Sequence, residues 1–196
     1  MHPVVRLILL LSLAAAILPA RADFAAGSDA YQRGDYAVAA REFKVVAERG
    51  DHRAMLTLGA MYAAGQGVDQ DYAAARGWFE EAARYGRADA VYKIGLLYEQ
   101  GLGVEADRRE AARYTLRAAK MRYAVAQYRL GEMYRDGGVL KVNPVKAYAW
   151  FSAAASAGLA EAEAEQTALA GSLDAESLTE ARQLSRTVIS RYGPRR

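Results

Sequence analysis

Chemistry in this chain would have to come from histidine, carboxylates, serines or glycine-rich turns. Beyond residue 22 there is one histidine, His52, and the chain has no cysteine. His52 therefore has no second imidazole or thiolate with which to hold zinc. It falls in the stretch Gly50-Asp51-His52-Arg53, which reads as a turn. A Ser-His-Asp arrangement built on it lacks the Gly-x-Ser-x-Gly elbow that would expose the nucleophile. No Ser is followed three residues later by Lys, so the serine β-lactamase signature is missing as well. Glu80-Glu81 and the series Glu161, Glu163, Glu165 have the side chains for acid–base work. They lie in helical stretches and read as solvated faces. Gly65-Gln66-Gly67 and Gly101-Leu102-Gly103 suggest a phosphate cradle, but no Gly-Lys-Ser/Thr closes either one. The residues predict no catalytic group, no metal ligand and no cofactor.

The elements that carry these residues follow from composition. The 196 residues are 53% hydrophobic and 25% charged, with only 4 Pro, which is a globular balance. Alanine, the best helix former, is abundant, and long runs of Val, Ile and Thr are missing. An all-α fold is expected. The first stretch stands apart. Arg6 precedes an apolar run, Leu7 to Leu18, which ends at Pro19 and at the small-x-small site Ala20-Arg21-Ala22. That is the pattern of a cleaved signal peptide over 1–22, too short to cross a membrane as a helix. Its loss removes Arg6 and Arg21 and lowers the formal charge from +3 to +1. Nothing in that balance points to nucleic acid. Arg191, Arg195 and Arg196 read as a frayed basic tail. Without cysteine there is no disulfide support, so stacked helices must supply the stability.

A repeat of 36 residues organises the rest. Leu58-Gly59, Ile94-Gly95 and Leu130-Gly131 align, as do Tyr62, Tyr98 and Tyr134. Gly65, Gly101 and Gly137 follow, then Ala75, Ala111 and Ala147, then Trp78, Tyr114 and Trp150. Each unit reads as two antiparallel helices. Asp71, Asp107 and Asn143-Pro144 stand where the second helix begins, and Asp107 with Glu110 has the form of a capping box. Gly86 and Gly158 close that helix. Arg122 replaces the glycine in the second copy, and that junction is expected to be strained or wider. Residues 23–54 form an earlier, shorter hairpin with the loop Arg33-Gly34-Asp35. Residues 55–162 hold the three full units. Residues 163–196 form a helical cap and tail, opened by Ser177 with Glu180. One hairpin cannot bury its own apolar face, so the copies must stack.

Leu58-Gly59 to Tyr62, Gly65-Gln66-Gly67-Val68 to Asp71, then Ala75, Trp78-Phe79, Ala82-Ala83 and Gly86 resemble a Sel1-like repeat. The resemblance covers roughly Ala26 to Ala162 and departs from the pattern at Gly137-Gly138-Val139-Leu140-Lys141. It implies a right-handed α-solenoid related to TPR proteins, acting as an adaptor that holds a protein or peptide. It also implies that the inner surface is lined by first helices. On that surface Tyr92, Lys93, Leu96, Glu99 and Gln100 come from the second full copy. Tyr128, Arg129, Glu132, Arg135 and Asp136 come from the third. The first gives a smoother strip of Arg53, Leu56, Thr57, Ala60 and Ala64. Tyr with Arg is a common interface composition. The expected function is an exported, monomeric scaffold, periplasmic or secreted, that mediates protein–protein interaction in the bacterial envelope and has a possible regulatory role. The alternatives are a secreted effector that binds a host protein and an enzyme acting on β-lactam or cell-wall substrates. N-terminal sequencing of the exported protein should begin at Asp23; a chain that still begins at Met1 would identify an uncleaved anchor instead.

Overall fold

The computed structural model describes residues 23–194. The segment read as an export signal and the last two arginines lie outside them. Within the described residues the chain forms ten helices and no strand. They pair in chain order. α1 (Phe24–Gln32) and α2 (Tyr36–Glu48) make the first hairpin, and α3 (His52–Ala64) and α4 (Tyr72–Arg84) the second. α5 (Ala88–Gln100) with α6 (Arg108–Lys120) and α7 (Ala124–Asp136) with α8 (Pro144–Ser156) follow. α9 (Ala160–Ser172) and α10 (Ala175–Tyr192) complete the chain. Up to α9 each helix packs on its predecessor and its successor, the order of an α-solenoid. α10 instead lies back against α8. No helix among the described residues is long and apolar enough to cross a membrane.

Local chemistry sets the helix starts. Asp71 accepts hydrogen bonds from the Ala73 and Ala74 amides, both at 2.9 Å. Asp107 takes those of Arg109 and Glu110, and Asn143 takes that of Lys146 with Pro144 as the first helical residue. Each satisfies amides that have no partner inside the helix. The reciprocal half of a capping box does not form at Glu110. Its carboxylate pairs with Arg113 one turn on, and the Asp107 amide donates to the Tyr98 carbonyl at 2.9 Å. Two further expectations are corrected. His52 is the first residue of α3, not part of a turn, because Asp51 caps that helix. α10 starts at Ala175 rather than at Ser177: Asp174 is its cap and accepts from the Ser177 amide at 2.7 Å. The charged cap at Asp174 suits the positive end of the helix and lengthens it by most of a turn.

Close approach sets the spacing within hairpins. Phe43, Phe79 and Phe151 are almost fully buried. Each ring lies against a glycine of the paired first helix, where a Cβ would stand 2.7 Å (Gly27), 2.6 Å (Gly59) or 2.7 Å (Gly131) from ring carbon. Thr115 occupies the corresponding place in the second full copy. There Tyr98 and Tyr114 stack at 5.5 Å beside the helix pair. Close approach also sets the spacing between hairpins. A Cβ on Gly67 would stand 2.2 Å from the Tyr36 carbonyl, and one on Gly103 would stand 2.7 Å from the Tyr72 carbonyl carbon. The loop of one hairpin thus rests on the backbone that opens the second helix of the hairpin before. Val139 takes the place of this glycine in the third copy and cannot sit so low. Its loop departs accordingly: Gly137 has φ 82 and ψ −148, against φ 66 and ψ 32 at Gly65.

Arg122 marks a second departure. The three-residue turns between hairpins place Gly86 at φ +81 and Gly158 at φ +90, and Arg122 keeps the same left-handed backbone at φ 72. For a residue with a Cβ this costs roughly 1–2 kcal/mol. The junction is strained, as expected, but the side chain has a use. Its guanidinium donates to the carbonyls of Gly193 and Arg191 at the end of α10. Gln127, fully buried on α7, donates to the Tyr192 carbonyl at 2.7 Å. Tyr192 stacks on Trp150 at 5.7 Å. A cation and an amide thus occupy the negative end of the last helix, where carbonyls lack helical partners. At the open side of the array, Gln166 stands where earlier copies have Leu or Ile, and it bonds to Ser152 and Tyr148 of α8. A polar contact thus enters the seam of α8 and α9, beside an apolar cluster in which Phe151 and Tyr148 of α8 meet Leu169 of α9 and Ala181 of α10.

Arg122→Ala should lower stability by about 2 kcal/mol, because it loses two charge-assisted bonds and keeps the strained backbone. Arg122→Gly should cost less, since the turn relaxes by about 1 kcal/mol. Urea midpoints and amide exchange across 188–193 measure both effects. An Arg122→Gly protein more stable than the parent would show that the contact with α10 contributes less than the strain it is set against.

Candidate partner-binding surface

The first helices α3, α5 and α7 lie side by side and share one face. Two clefts open along it, one at each junction. The first, about 320 Å³, lies between α3 and α5 and is walled by Ala60, Ala63, Ala64, Leu96 and Leu97, with Tyr72, Phe79 and Leu102 from the adjoining helix and loop. Lys93 and Gln100 border it. The second, about 190 Å³, lies between α5 and α7. Its lining repeats the first at an offset of 36: Glu99 for Ala63, Arg108 for Tyr72, Thr115 for Phe79, Arg129 for Lys93, Met133 for Leu97 and Gly138 for Leu102. The same stacking geometry has made the same recess twice, and different side chains have given it different chemistry. The first is apolar with one ammonium. The second is polar, and Val139 stands at its edge.

Charge on this face is paired both across helices and along them. Arg129 of α7 donates to Glu99 of α5 at 2.6 Å and to Glu132 of its own helix at 3.1 Å. Burial pulls the Arg129 guanidinium down, but the hydrogen bonds to Glu99 and Glu132 outweigh it and leave it raised. Arg135 donates to Asp136 at 2.7 Å and to Glu165 of α9 at 2.5 Å, and those bonds raise it further. The Arg135 contact in return holds the Asp136 carboxyl below its usual range. Lys93 has no carboxylate within 4 Å among the described residues; its Nζ lies 5.8 Å from the centre of the Phe79 ring.

The aromatic residues expected on this surface are turned partly into the stack. Tyr92 packs on Tyr123 of the next junction at 5.6 Å, and Tyr128 packs on Phe151 at 5.3 Å. Burial raises the phenol pKa of both. Of the sequence-derived residues, the structure brings Lys93 and Leu96 together in the first cleft and Glu99 and Arg129 in the second. Tyr92, Tyr128, Glu132 and Arg135 line neither cleft. Of the first-copy strip, Ala60 and Ala64 line the first cleft, whereas Arg53 is held by Asp51 and lies 4.4 Å from the centre of the Phe24 ring. The wall residues Ala63, Tyr72, Phe79, Arg108 and Thr115 escaped the sequence reading. Pairing positions 30 apart on successive first helices would have found Ala63 beside Lys93 and Glu99 beside Arg129.

The Sel1 repeat profile matches residues 52–86, 88–123 and 124–159. Among solved structures, the chain is similar to c5321, a protective antigen present in uropathogenic Escherichia coli strains that displays an SLR fold. Identity is 28% and the TM-score 0.71, over 86% of this chain and 38% of that one. It is also similar in fold to a Sel1 repeat protein from Oxalobacter formigenes, at 24% identity and a TM-score of 0.70, over 86% of this chain and 70% of that one. The chain thus spans well under half the length of the E. coli antigen. No curated protein sequence matches it.

Glu99 and Arg129 are 36% and 38% exposed, so solvent screens their attraction. A double-mutant cycle with Glu99→Gln and Arg129→Gln should return a coupling of about 0.5–1 kcal/mol that shrinks in 1 M salt. A coupling near zero at low salt would remove this pair from the forces that join α5 to α7.

Proposed function

Because this chain belongs to the Sel1 repeat family, we propose that it is a non-enzymatic scaffold that holds a segment of a partner polypeptide against the face of α3, α5 and α7. Sel1 repeat proteins generally mediate protein–protein interaction. The observation that carries the reading is the pair of clefts repeated at the 36-residue period on one face. A bound chain that crosses two successive first helices meets two recesses in register, and neighbouring side chains of an extended segment can occupy them in turn. The clefts hold a few side chains each and are open to solvent, which suits a polypeptide better than an enclosed small molecule.

Residues 1–22 supply the second half of the proposal. Their pattern is that of a signal peptide, and the proposed site of action is the periplasm or the cell exterior, with the chain working as a monomer in an envelope or regulatory process. A protein without cysteine suits that setting when nearest-neighbour helix packing, rather than disulfides, supplies its stability.

A photo-crosslinking residue placed at Gln100, on the rim of the first cleft, should capture a polypeptide in the producing cells. The same residue at Gly77, an exposed position of α4 with nothing within 4 Å of a Cβ, should capture none. Equal capture from both positions would move the partner off this face.

A further inference from the structure

We infer that the first cleft selects an acidic side chain next to an apolar one on the bound segment, with Lys93 as its counter-ion. The inference rests on the reading that this face binds a polypeptide. Its basis is a comparison of one pair of positions at three successive junctions. At the junction of α5 and α7 the pair is Glu99 and Arg129, in contact at 2.6 Å. At the junction of α7 and α9 the same positions hold Arg135 and Glu165, in contact at 2.5 Å with the charges exchanged. At the junction of α3 and α5 they hold Ala63 and Lys93. The methyl group of Ala63 offers nothing to the ammonium, and no other carboxylate of the described residues lies within 4 Å of it. Two junctions are neutralised from within the chain, and one leaves its cation unmatched.

The surroundings of that cation say what suits it. Lys93 is half-buried and borders a recess walled by Ala60, Ala64, Leu96 and Phe79. A partly desolvated ammonium facing an open site attracts an anion more strongly than one in bulk water. Those walls reward an apolar side chain by burial. Tyr72 adds a donor. Its hydroxyl oxygen accepts from the Gln70 amide at 3.0 Å, which leaves the hydroxyl proton for a ligand. A ligand side chain that is only acidic would leave the apolar walls wet, and one that is only apolar would leave Lys93 unmatched. Adjacent apolar and acidic side chains satisfy both. At the matching position of the second cleft Glu99 already occupies Arg129; the other cation of that lining, Arg108, is exposed to solvent.

The test uses an array of random heptapeptides, acetylated and amidated so that no terminal charge competes, probed with the purified full chain. Peptides that combine Leu, Ile or Phe with a neighbouring Asp or Glu should be enriched. The best of them should bind about tenfold more weakly to Lys93→Met, which keeps the length and loses the charge. Ala63→Glu supplies the carboxylate that Glu99 supplies one junction on, and it should weaken binding to a similar degree. Lys93→Glu should turn the preference toward Lys or Arg. Circular dichroism confirms the fold of each variant. If the enriched peptides crosslink from position 100 but carry no acidic residue, or keep their acidic preference in Lys93→Glu and Ala63→Glu, the inference is wrong and the binding face stands. If no peptide is enriched, or capture is equal from position 77, the inference and the binding face fail together.

Discussion

Phe43, Phe79 and Phe151 each press ring carbons against a glycine of the partner helix, and the loops at Gly67 and Gly103 rest on the carbonyls of Tyr36 and Tyr72. These contacts between side chain or loop and bare backbone fix how far apart successive helices stand. A Cβ at any of the five glycines would come within 2.8 Å of its neighbour, so the spacing has almost no slack. Regular stacking follows from that constraint, and so does the recurrence of one cleft at the same place in two successive junctions. The surface proposed for partner binding is a by-product of packing distance before it is a matter of surface residues.

Where the repeat is broken, the break makes something new. Thr115 in place of phenylalanine leaves the second cleft more polar, and Val139 in place of glycine goes with a changed backbone turn at Gly137. Arg122 in place of glycine keeps a backbone that suits glycine better, and its guanidinium fastens the end of α10. Gln166 in place of leucine ties α9 to α8 by a side-chain hydrogen bond. All of these departures except Val139 add a polar group where the regular copy has an apolar or absent side chain. In each case a partner on another helix or an open recess receives it. A solenoid tolerates such changes because every hairpin touches only its neighbours, and strain at one junction is not passed along the array.

The helices and their stacking order were legible because every copy must bury the same stripe, so Leu58, Ile94 and Leu130 recur with the glycines beside them. Caps at Asp71, Asp107 and Asn143 were legible because they act within four residues. Features with two competing local partners, or with a partner on another helix, were not. The start of α10 at Asp174 rather than Ser177 could not be fixed by local preference, since both residues cap well. Glu110 had an equally local alternative in Arg113 and took it. Tyr92 and Tyr128 looked like surface anchors on a single helix, yet Tyr123 and Phe151 draw them partly into the stack. Arg122 could be recognised as an exception but not explained, because the carbonyls it serves lie about 70 residues further along the chain. Residues 1–22, read from the sequence as a signal peptide, fall outside the described residues.

The face of α3, α5 and α7 shows why reading one helix at a time misleads in such a protein. Lys93, Arg129 and Glu165 occupy one repeat position, and on their own helices they look like three exposed charges of no common meaning. Set against Ala63, Glu99 and Arg135 on the preceding helices, they become one site in three states: an unmatched cation, an ion pair and the same pair reversed. Mixed charge on the face as a whole says little about recognition, because most of it is neutralised at the junctions. What a ligand meets is the remainder, and the remainder is set by a methyl group at Ala63 where the next copy has a carboxylate. The selectivity of this surface therefore resides as much in the residue that fails to pair as in the lysine itself.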